Sequence, residues 1–126
     1  NAPYLLRRCN MKLYHYPKCS TCRKAIKYLE SNGLTYEKVN IVENPPSQAE
    51  LKRMLSHLDG EVKKLFNTSG EVYRKMSLKD KVANMKTVDA VRLLAQNGKL
   101  IKRPVLLTRH GGLVGFKEIE WQQLLT

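Results

Sequence analysis

The stretch HYPKCSTCRK at residues 15–24 holds two cysteines, Cys19 and Cys22, separated by two residues. This spacing occurs in redox-active thiol pairs, in half of a four-ligand zinc site and in pairs of inert buried thiols. A zinc site would need two more ligands, and His15 and Cys9 are the nearest candidates. We expect no metal, because His15 falls on a predicted strand and Cys9 in a terminal extension.

Local patterning places Cys19 at the junction of a strand and a helix. Residues 11–16 alternate in the manner of a half-buried strand, which Pro17 ends. From Ser20 the apolar residues recur at helical spacing, and the SNG sequence at 31–33 supplies a helix stop. The strand is predicted to place Met11, Leu13 and His15 on one face and Lys12, Tyr14 and Tyr16 on the other. The predicted inward residues of the helix are Cys22, Ala25, Ile26 and Leu29.

A cysteine at a helix N-terminus is favoured as a thiolate, because unpaired backbone N–H groups and the positive end of the helix dipole stabilise its charge. The neighbouring Lys18 and Arg23 act in the same direction. Cys19 is therefore predicted to be a nucleophile that is ionised at neutral pH. Cys22, one helical turn further on, would attack a mixed disulfide formed at Cys19, which is the second step of thiol–disulfide exchange.

The order of predicted elements indicates an α/β fold. A second strand at 34–41 completes a right-handed strand, helix, strand unit with parallel strands. A helical block of about 45–100 follows, and the chain closes with a hairpin and an amphipathic helix. Helix starts are predicted at Ser47 with Glu50, at Ser77 with Asp80, and at Thr87, which opens the stripe Val88, Val91, Leu94 and Ala95. The hairpin pairs Val105, Leu106 and Leu107 with Leu113 and Val114 around Gly111 and Gly112. This is the thioredoxin-like order, a four-stranded mixed sheet with a helical insertion.

Length and composition fit one domain. At 126 residues the chain can bury a core without disulfides, with thioredoxin-like parts at about 11–42 and 102–126. Residues 1–10 are expected to be a tag or extension before a natural start at Met11. No apolar run reaches the roughly 20 residues that cross a bilayer, and three cysteines do not form a secreted disulfide framework. We therefore expect a cytoplasmic protein without a membrane partner.

The net positive charge of the chain attracts anions but does not indicate which class of anion binds. Lys and Arg number 23 against 11 Asp and Glu, which leaves a formal net charge of +12. Such a charge favours anionic small molecules, acidic protein surfaces or nucleic acid. Direct nucleic-acid binding is not expected, because the few aromatic residues are not interleaved with a basic stripe as stacking platforms are.

Three stretches together resemble the arsenate reductase and Spx family. They are YHYPKCSTCRKA at 14–25, ENPPSQAEL at 43–51 and KRPVLLT at 102–108, in the family's order and separations. The resemblance covers the chain from Met11 to its C-terminus. It implies a thioredoxin-like fold with a helical insertion, and a cis-proline at Pro104 that faces the active cysteine.

The resemblance also implies roles for single residues. Cys19 matches the nucleophile, His15 the histidine four positions before it, Arg23 the arginine four positions after it, and Arg103 the arginine that precedes the cis-proline. In that family the cysteine attacks the arsenic of arsenate, and the thiol of glutathione or a glutaredoxin resolves the adduct. The implied partners are thus a small oxyanion or disulfide and glutathione, glutaredoxin or thioredoxin as reductant, with no organic cofactor.

The chain departs from the arsenate reductases at two positions. Asn67 stands where the glutaredoxin-linked enzymes have an arginine, and residues 115–116 lack a second one. Losing one charged donor costs about 1.5–3 kcal/mol, which predicts weak arsenate binding. Asn67, Thr68 and Ser69 are predicted either to offer neutral donors to a substrate or to form a turn.

The sequence is also compatible with a second function, that of a regulator. The cysteine pair and VGFKEIEW at 114–121 are similar to the Spx-like branch, whose regulators sense oxidation through such a pair. The regulators of that branch bind the C-terminal domain of the RNA polymerase alpha subunit. The sequence thus predicts either a thiol oxidoreductase or a redox-sensing regulator.

Overall fold

The computed structural model describes residues 11–109 and 111–125 of the chain, and it divides into two compact units. The first unit contains residues 11–40, 103–109 and 111–125, and the second contains residues 41–102. In the first unit lie β1 (Lys12–His15), α1 (Ser20–Ser31), β2 (Glu37–Asn40), β3 (Val105–Leu107), β4 (Gly112–Val114) and α6 (Glu118–Leu125). In the second lie α2 (Gln48–His57), α3 (Glu71–Lys75), α4 (Leu78–Val82) and α5 (Thr87–Gln96), with 3₁₀ turns at Val62–Leu65 and Gly98–Leu100.

The four strands form one mixed sheet in the order β2-β1-β3-β4. β1 runs parallel to β2, and β3 is antiparallel to both β1 and β4. The parallel pair requires a crossover, which α1 provides. The predicted α/β fold with a four-stranded mixed, thioredoxin-like sheet is therefore confirmed. Gly112, predicted in the hairpin turn, is instead the first residue of β4.

A small apolar core holds the first unit together. Its fully buried members are Leu13, Ala25, Leu29, Leu106 and Trp121. The indole Nε1–H of Trp121 donates to the carbonyl of Gly115 at 3.1 Å, so the one polar atom of the ring is satisfied inside the core. Burial of α1 through Ala25 and Leu29 fixes the helix on the sheet, and with it the position of its first turn.

The prediction that β1 is only half-buried was wrong. Leu13 and Tyr14 point to opposite faces of the strand, yet their exposed fractions are 0% and 3%. Strands in α/β folds are covered on both faces, so a polar hydroxyl on Tyr14 does not mark a solvent face.

The predicted start of α2 is confirmed in full. The Ser47 hydroxyl accepts from the backbone N–H of Glu50 at 3.1 Å, and the Glu50 carboxylate accepts from the backbone N–H of Ser47 at 3.0 Å. This reciprocal pair satisfies two N–H groups that a helix start leaves without partners.

The two other predicted helix starts are confirmed in position, because α4 begins directly after Ser77 and α5 begins at Thr87. Ser77 has a left-handed backbone, with φ 52° and ψ 44°, and its side chain does not cap α4. The predicted inward stripe of α5 was wrong at Val88, which is exposed, whereas Ala90 is buried. Among the described residues, no helix is long and apolar enough to span a membrane.

Candidate active site

Cys19 lies at the N-cap of α1, in the first unit. Pro17 follows β1 and turns the chain, and the backbone N–H of Cys19 donates to the carbonyl of Tyr16 at 3.0 Å. The Cys19 sulfur is half-buried and accepts a hydrogen bond from the backbone N–H of Cys22 at 3.2 Å. The sulfur thus occupies the place of a capping oxygen, where backbone N–H groups and the helix dipole stabilise a negative charge.

Cys22 is fully buried in the first turn of the same helix, and both cysteines are free thiols. Burial, together with a hydrogen bond and the charge of Cys19, raises the pKa of Cys22 to about 12. A hydrogen bond with the Tyr16 backbone and the charge of Arg103 oppose this rise in the pKa. At neutral pH, therefore, Cys22 stays a protonated thiol.

The two sulfurs are consequently unequal in a way that suits a two-step exchange. Two of the causes that raise the Cys22 pKa, the hydrogen bond and the charge, come from Cys19. A Cys19 sulfur in a mixed disulfide would carry no charge, so these two effects on the Cys22 pKa would be smaller. Cys22 would then ionise more readily, as an attack on that disulfide requires.

Two arginines lie near the cysteine pair in different settings. The guanidinium carbon of Arg103 lies over the ring of Tyr16, 4.7 Å from the ring centre, and the Arg103–Pro104 peptide bond is cis, which is the isomer the resemblance implied. Arg23, by contrast, is exposed, and its Nη1 donates to the carbonyl of Pro17 at 3.0 Å. Arg23 therefore helps to close the loop before the helix, with part of its donor set already used.

His15 is the last residue of β1 and pairs in register with Asn40 of β2. Burial lowers the pKa of His15, and the charge of Lys38 lowers it further. Both effects favour the neutral imidazole. No hydrogen bond joins it to Cys19 among the described residues, so the role implied by its match to the family's histidine stays a prediction.

The predicted substrate-binding residues Asn67, Thr68 and Ser69 belong to the second unit. They line a groove of about 720 Å³ whose wall also carries Lys63 and Lys102. The loop is held by backbone hydrogen bonds, among them Asn67 N–H to the carbonyl of Leu100 at 2.7 Å and Gly70 N–H to the carbonyl of Asn67 at 3.0 Å. Residues 67–70 therefore form a turn, and substrate binding by Asn67, Thr68 and Ser69 stays a prediction.

Among the described residues, the fold brings no further metal ligands to the cysteine pair. Within residues 11–109 and 111–125, no group of three or more His, Cys, Asp or Glu side chains could hold a metal ion. Cys9 lies outside the described residues.

Sequence reasoning missed one residue of this site, Tyr16. It contributes a carbonyl to Cys19 and a ring to Arg103. The only sequence signal was an aromatic residue directly before Pro17. Pro17 restricts Tyr16 to an extended backbone, but the contact with a residue 87 positions later is set by the sheet.

Comparison with known proteins identifies one family for this chain. The model of the ArsC family matches residues 14–124. The chain is 43% identical to "Uncharacterized protein YusI" of Bacillus subtilis, over 90% of this chain and 97% of that protein. It is 28% identical to "Global transcriptional regulator Spx" of Streptococcus agalactiae, over 90% and 81%.

A solved structure supports the same assignment. The "possible arsenate reductase" from Streptococcus mutans superposes with a TM-score of 0.83 at 37% identity, covering 90% of this chain and 98% of that one. The residues matched by the ArsC family model, 14–124, include the cysteine pair, Pro104 and the second unit. The chain belongs to the ArsC family.

Proposed function

We propose that the protein is a thiol–disulfide oxidoreductase in which Cys19 is the nucleophile and Cys22 the resolving thiol. The observation that carries the proposal is the asymmetry of the pair: a half-buried sulfur caps α1, and a buried, protonated thiol lies one turn inside the helix. The proposed site of action is the cytoplasm, where glutathione, glutaredoxin or thioredoxin keeps such pairs reduced.

The proposed reaction balances in three exchanges. The Cys19 thiolate attacks a substrate disulfide, forms a mixed disulfide and releases the first substrate thiolate. Cys22 loses its proton and attacks the Cys19 sulfur, which forms the Cys19–Cys22 disulfide and releases the second thiolate. A dithiol donor, or two molecules of glutathione, then reduces the protein disulfide and is itself oxidised.

Alkylation against pH tests the nucleophile directly. In a Cys9→Ser background only Cys19 and Cys22 can react with iodoacetamide. We expect one label at pH 7, on Cys19, because a thiol with a pKa of about 12 is ionised in about one molecule in 10⁵ at that pH. The Cys22→Ser variant should react like the parent, and Cys19→Ser should be almost inert. Reaction of Cys19 only at the pH of an ordinary thiol, near ~8.5, would contradict the proposal.

Exchange with oxidised glutathione tests the reaction. The parent should release two molecules of glutathione per protein and form an internal disulfide, whereas Cys22→Ser should stop at a mixed disulfide that mass spectrometry detects. Arsenate is tested separately with glutathione and glutaredoxin present. We expect slow turnover, because Asn67 takes the place of an arginine and one charged donor is worth about 1.5–3 kcal/mol.

A redox-sensing regulator is the second candidate. Two observations favour it: the similarity to Spx proteins across 90% of the chain, and the groove of the second unit. The groove combines apolar Val62 and Phe66 with Lys63 and Lys102. Its volume of about 720 Å³ is ample for a side-chain cluster of a protein partner. The proposed partner is the C-terminal domain of the RNA polymerase alpha subunit.

Retention of this protein on the immobilised alpha domain distinguishes the two candidates. A regulator should bind under oxidising conditions and bind differently under reducing ones. Lys63→Glu with Lys102→Glu should abolish the retention, whereas Lys99→Glu, an exposed lysine that does not line the groove, should not. Absence of binding in both redox states would remove this candidate.

A further inference from the structure

Among the described residues, the guanidinium of Arg103 donates no hydrogen bond, although its charge acts on Cys22. The guanidinium lies over the ring of Tyr16. Within the described part of the chain, no carboxylate forms an ion pair with it. A guanidinium has five N–H donors, and a ring face attracts its charge without using any of them. A carboxylate partner would instead have occupied donors and neutralised the charge.

Tyr16 holds both the arginine and the nucleophile. Its carbonyl accepts from the backbone N–H of Cys19 at 3.0 Å, and its ring centre lies 4.7 Å from the guanidinium carbon of Arg103. Pro17 keeps the Tyr16 backbone extended, which limits how the ring can turn relative to the loop. One residue thereby sets the place of the positive charge relative to the reactive sulfur.

We propose that Tyr16 is a positioning residue, which holds Arg103 so that its free donors receive an anionic group of the molecule attacked by Cys19. This inference deepens the proposed function and rests on it. The substrate it implies is a disulfide with a carboxylate near its sulfur, such as a glutathione-type disulfide. Arg103 is the group that touches the substrate, and Tyr16 acts through it.

Charge selectivity of alkylation tests the inference without any turnover. Iodoacetate is anionic, iodoacetamide is neutral, and both react with the Cys19 thiolate. The measured quantity is the ratio of their rates on Cys19 in the Cys9→Ser background. Each variant serves as its own reference, because any loss of active protein lowers both rates equally. Tyr16→Leu removes the ring, and Tyr16→Phe keeps it.

The expected pattern is specific. Tyr16→Leu and Arg103→Gln should each lower the ratio by about five- to tenfold, as expected for loss of a partly desolvated cation–ring contact or of the cation itself. Tyr16→Phe should keep the ratio within about twofold, since a phenyl face also attracts a guanidinium. In the double variant the two effects should not add. Arg109→Gln, an exposed arginine after β3, should leave the ratio unchanged.

Two results would overturn the inference. One is an unchanged ratio in Tyr16→Leu while Arg103→Gln lowers it, and the other is an unchanged ratio in both. Tyr16→Met provides a second ring-free variant should the leucine variant not fold. Failure of the proposed function looks different: the ratio would follow the expected pattern while oxidised glutathione failed to exchange with Cys19.

Discussion

The cap at the start of α1 gives Cys19 a structural role beside its proposed role as nucleophile. Its sulfur accepts the backbone N–H of Cys22 at 3.2 Å, and the first turn has no acidic residue that could replace it. Replacing a capping side chain by alanine costs roughly 0.5–2 kcal/mol, about 1 kcal/mol in a typical case. We therefore expect Cys19→Ala to lower the free energy of unfolding by about 1 kcal/mol. Buried Ala25 and Leu29 couple the helix start to the core.

Cys19→Ser is the matched control. A serine hydroxyl accepts the same N–H, so this variant should lie within about 0.5 kcal/mol of the parent. Both variants should lose the fast alkylation at pH 7. The assay is urea unfolding with excess reductant, followed by the fluorescence of Trp121, the single tryptophan, which is fully buried. Equal stability of the alanine and serine variants would refute the capping role and, with it, the argument that the cap stabilises the thiolate.

Three further predictions concern stability. The folded state holds the pKa of Cys22 at about 12, above the ordinary thiol pKa of 9.0, so unfolding releases a proton above pH 9 and the free energy of unfolding falls as pH rises. Between pH 8 and 10 the parent should lose about 1.4 kcal/mol more than Cys22→Ser, measured by urea unfolding; parallel losses would contradict the shift. Gly98→Ala should cost about 3 kcal/mol or prevent folding, because a Cβ would clash with the backbone carbonyl oxygen of Ile41; a normal melting temperature would show that the backbone yields. Thr108→Val should cost about 1–3 kcal/mol, since it leaves the buried N–H of Gly111 without the hydroxyl that accepts it at 3.0 Å; Thr108→Ser, which keeps the hydroxyl, should cost less in the same assay.

The parts of the fold that follow from local chemistry could be predicted from the sequence. The change from strand period to helix period at residues 17–20 located the N-terminus of α1, because a proline and a capping residue act on their immediate neighbours. Ser47 and Glu50 specified their helix start in the same way. The parallel pairing of β1 with β2 and the hairpin of β3 and β4 were predicted as well, since a strand, helix, strand unit favours parallel strands and a hairpin pairs its own strands.

The features that the sequence did not predict depend on contacts between distant parts of the chain. Ser77 carried the sequence signal of a cap, but its backbone is left-handed and its hydroxyl does not cap α4. Tyr14 carried the signal of a solvent face, but the strand is covered on both sides. The pairing of Tyr16 with Arg103 arises because β1 and β3 are neighbours in the sheet, which brings the segments at their ends together. No local pattern encodes such a contact.

The arrangement at α1 favours a transient disulfide over a permanent one. In the proposed reduced form the N-terminus of α1 would stabilise a Cys19 thiolate, an interaction worth about 0.3–1 kcal/mol and up to ~2 kcal/mol where it is partly buried. A Cys19–Cys22 disulfide carries no charge, so oxidation would give that interaction up. Stabilising the dithiol relative to the disulfide raises the reduction potential, by about 20 mV for each ~1 kcal/mol in a two-electron couple. In the proposed reaction this balance would favour reduction of the protein disulfide by a thiol donor after each cycle, whereas a structural disulfide requires the opposite balance.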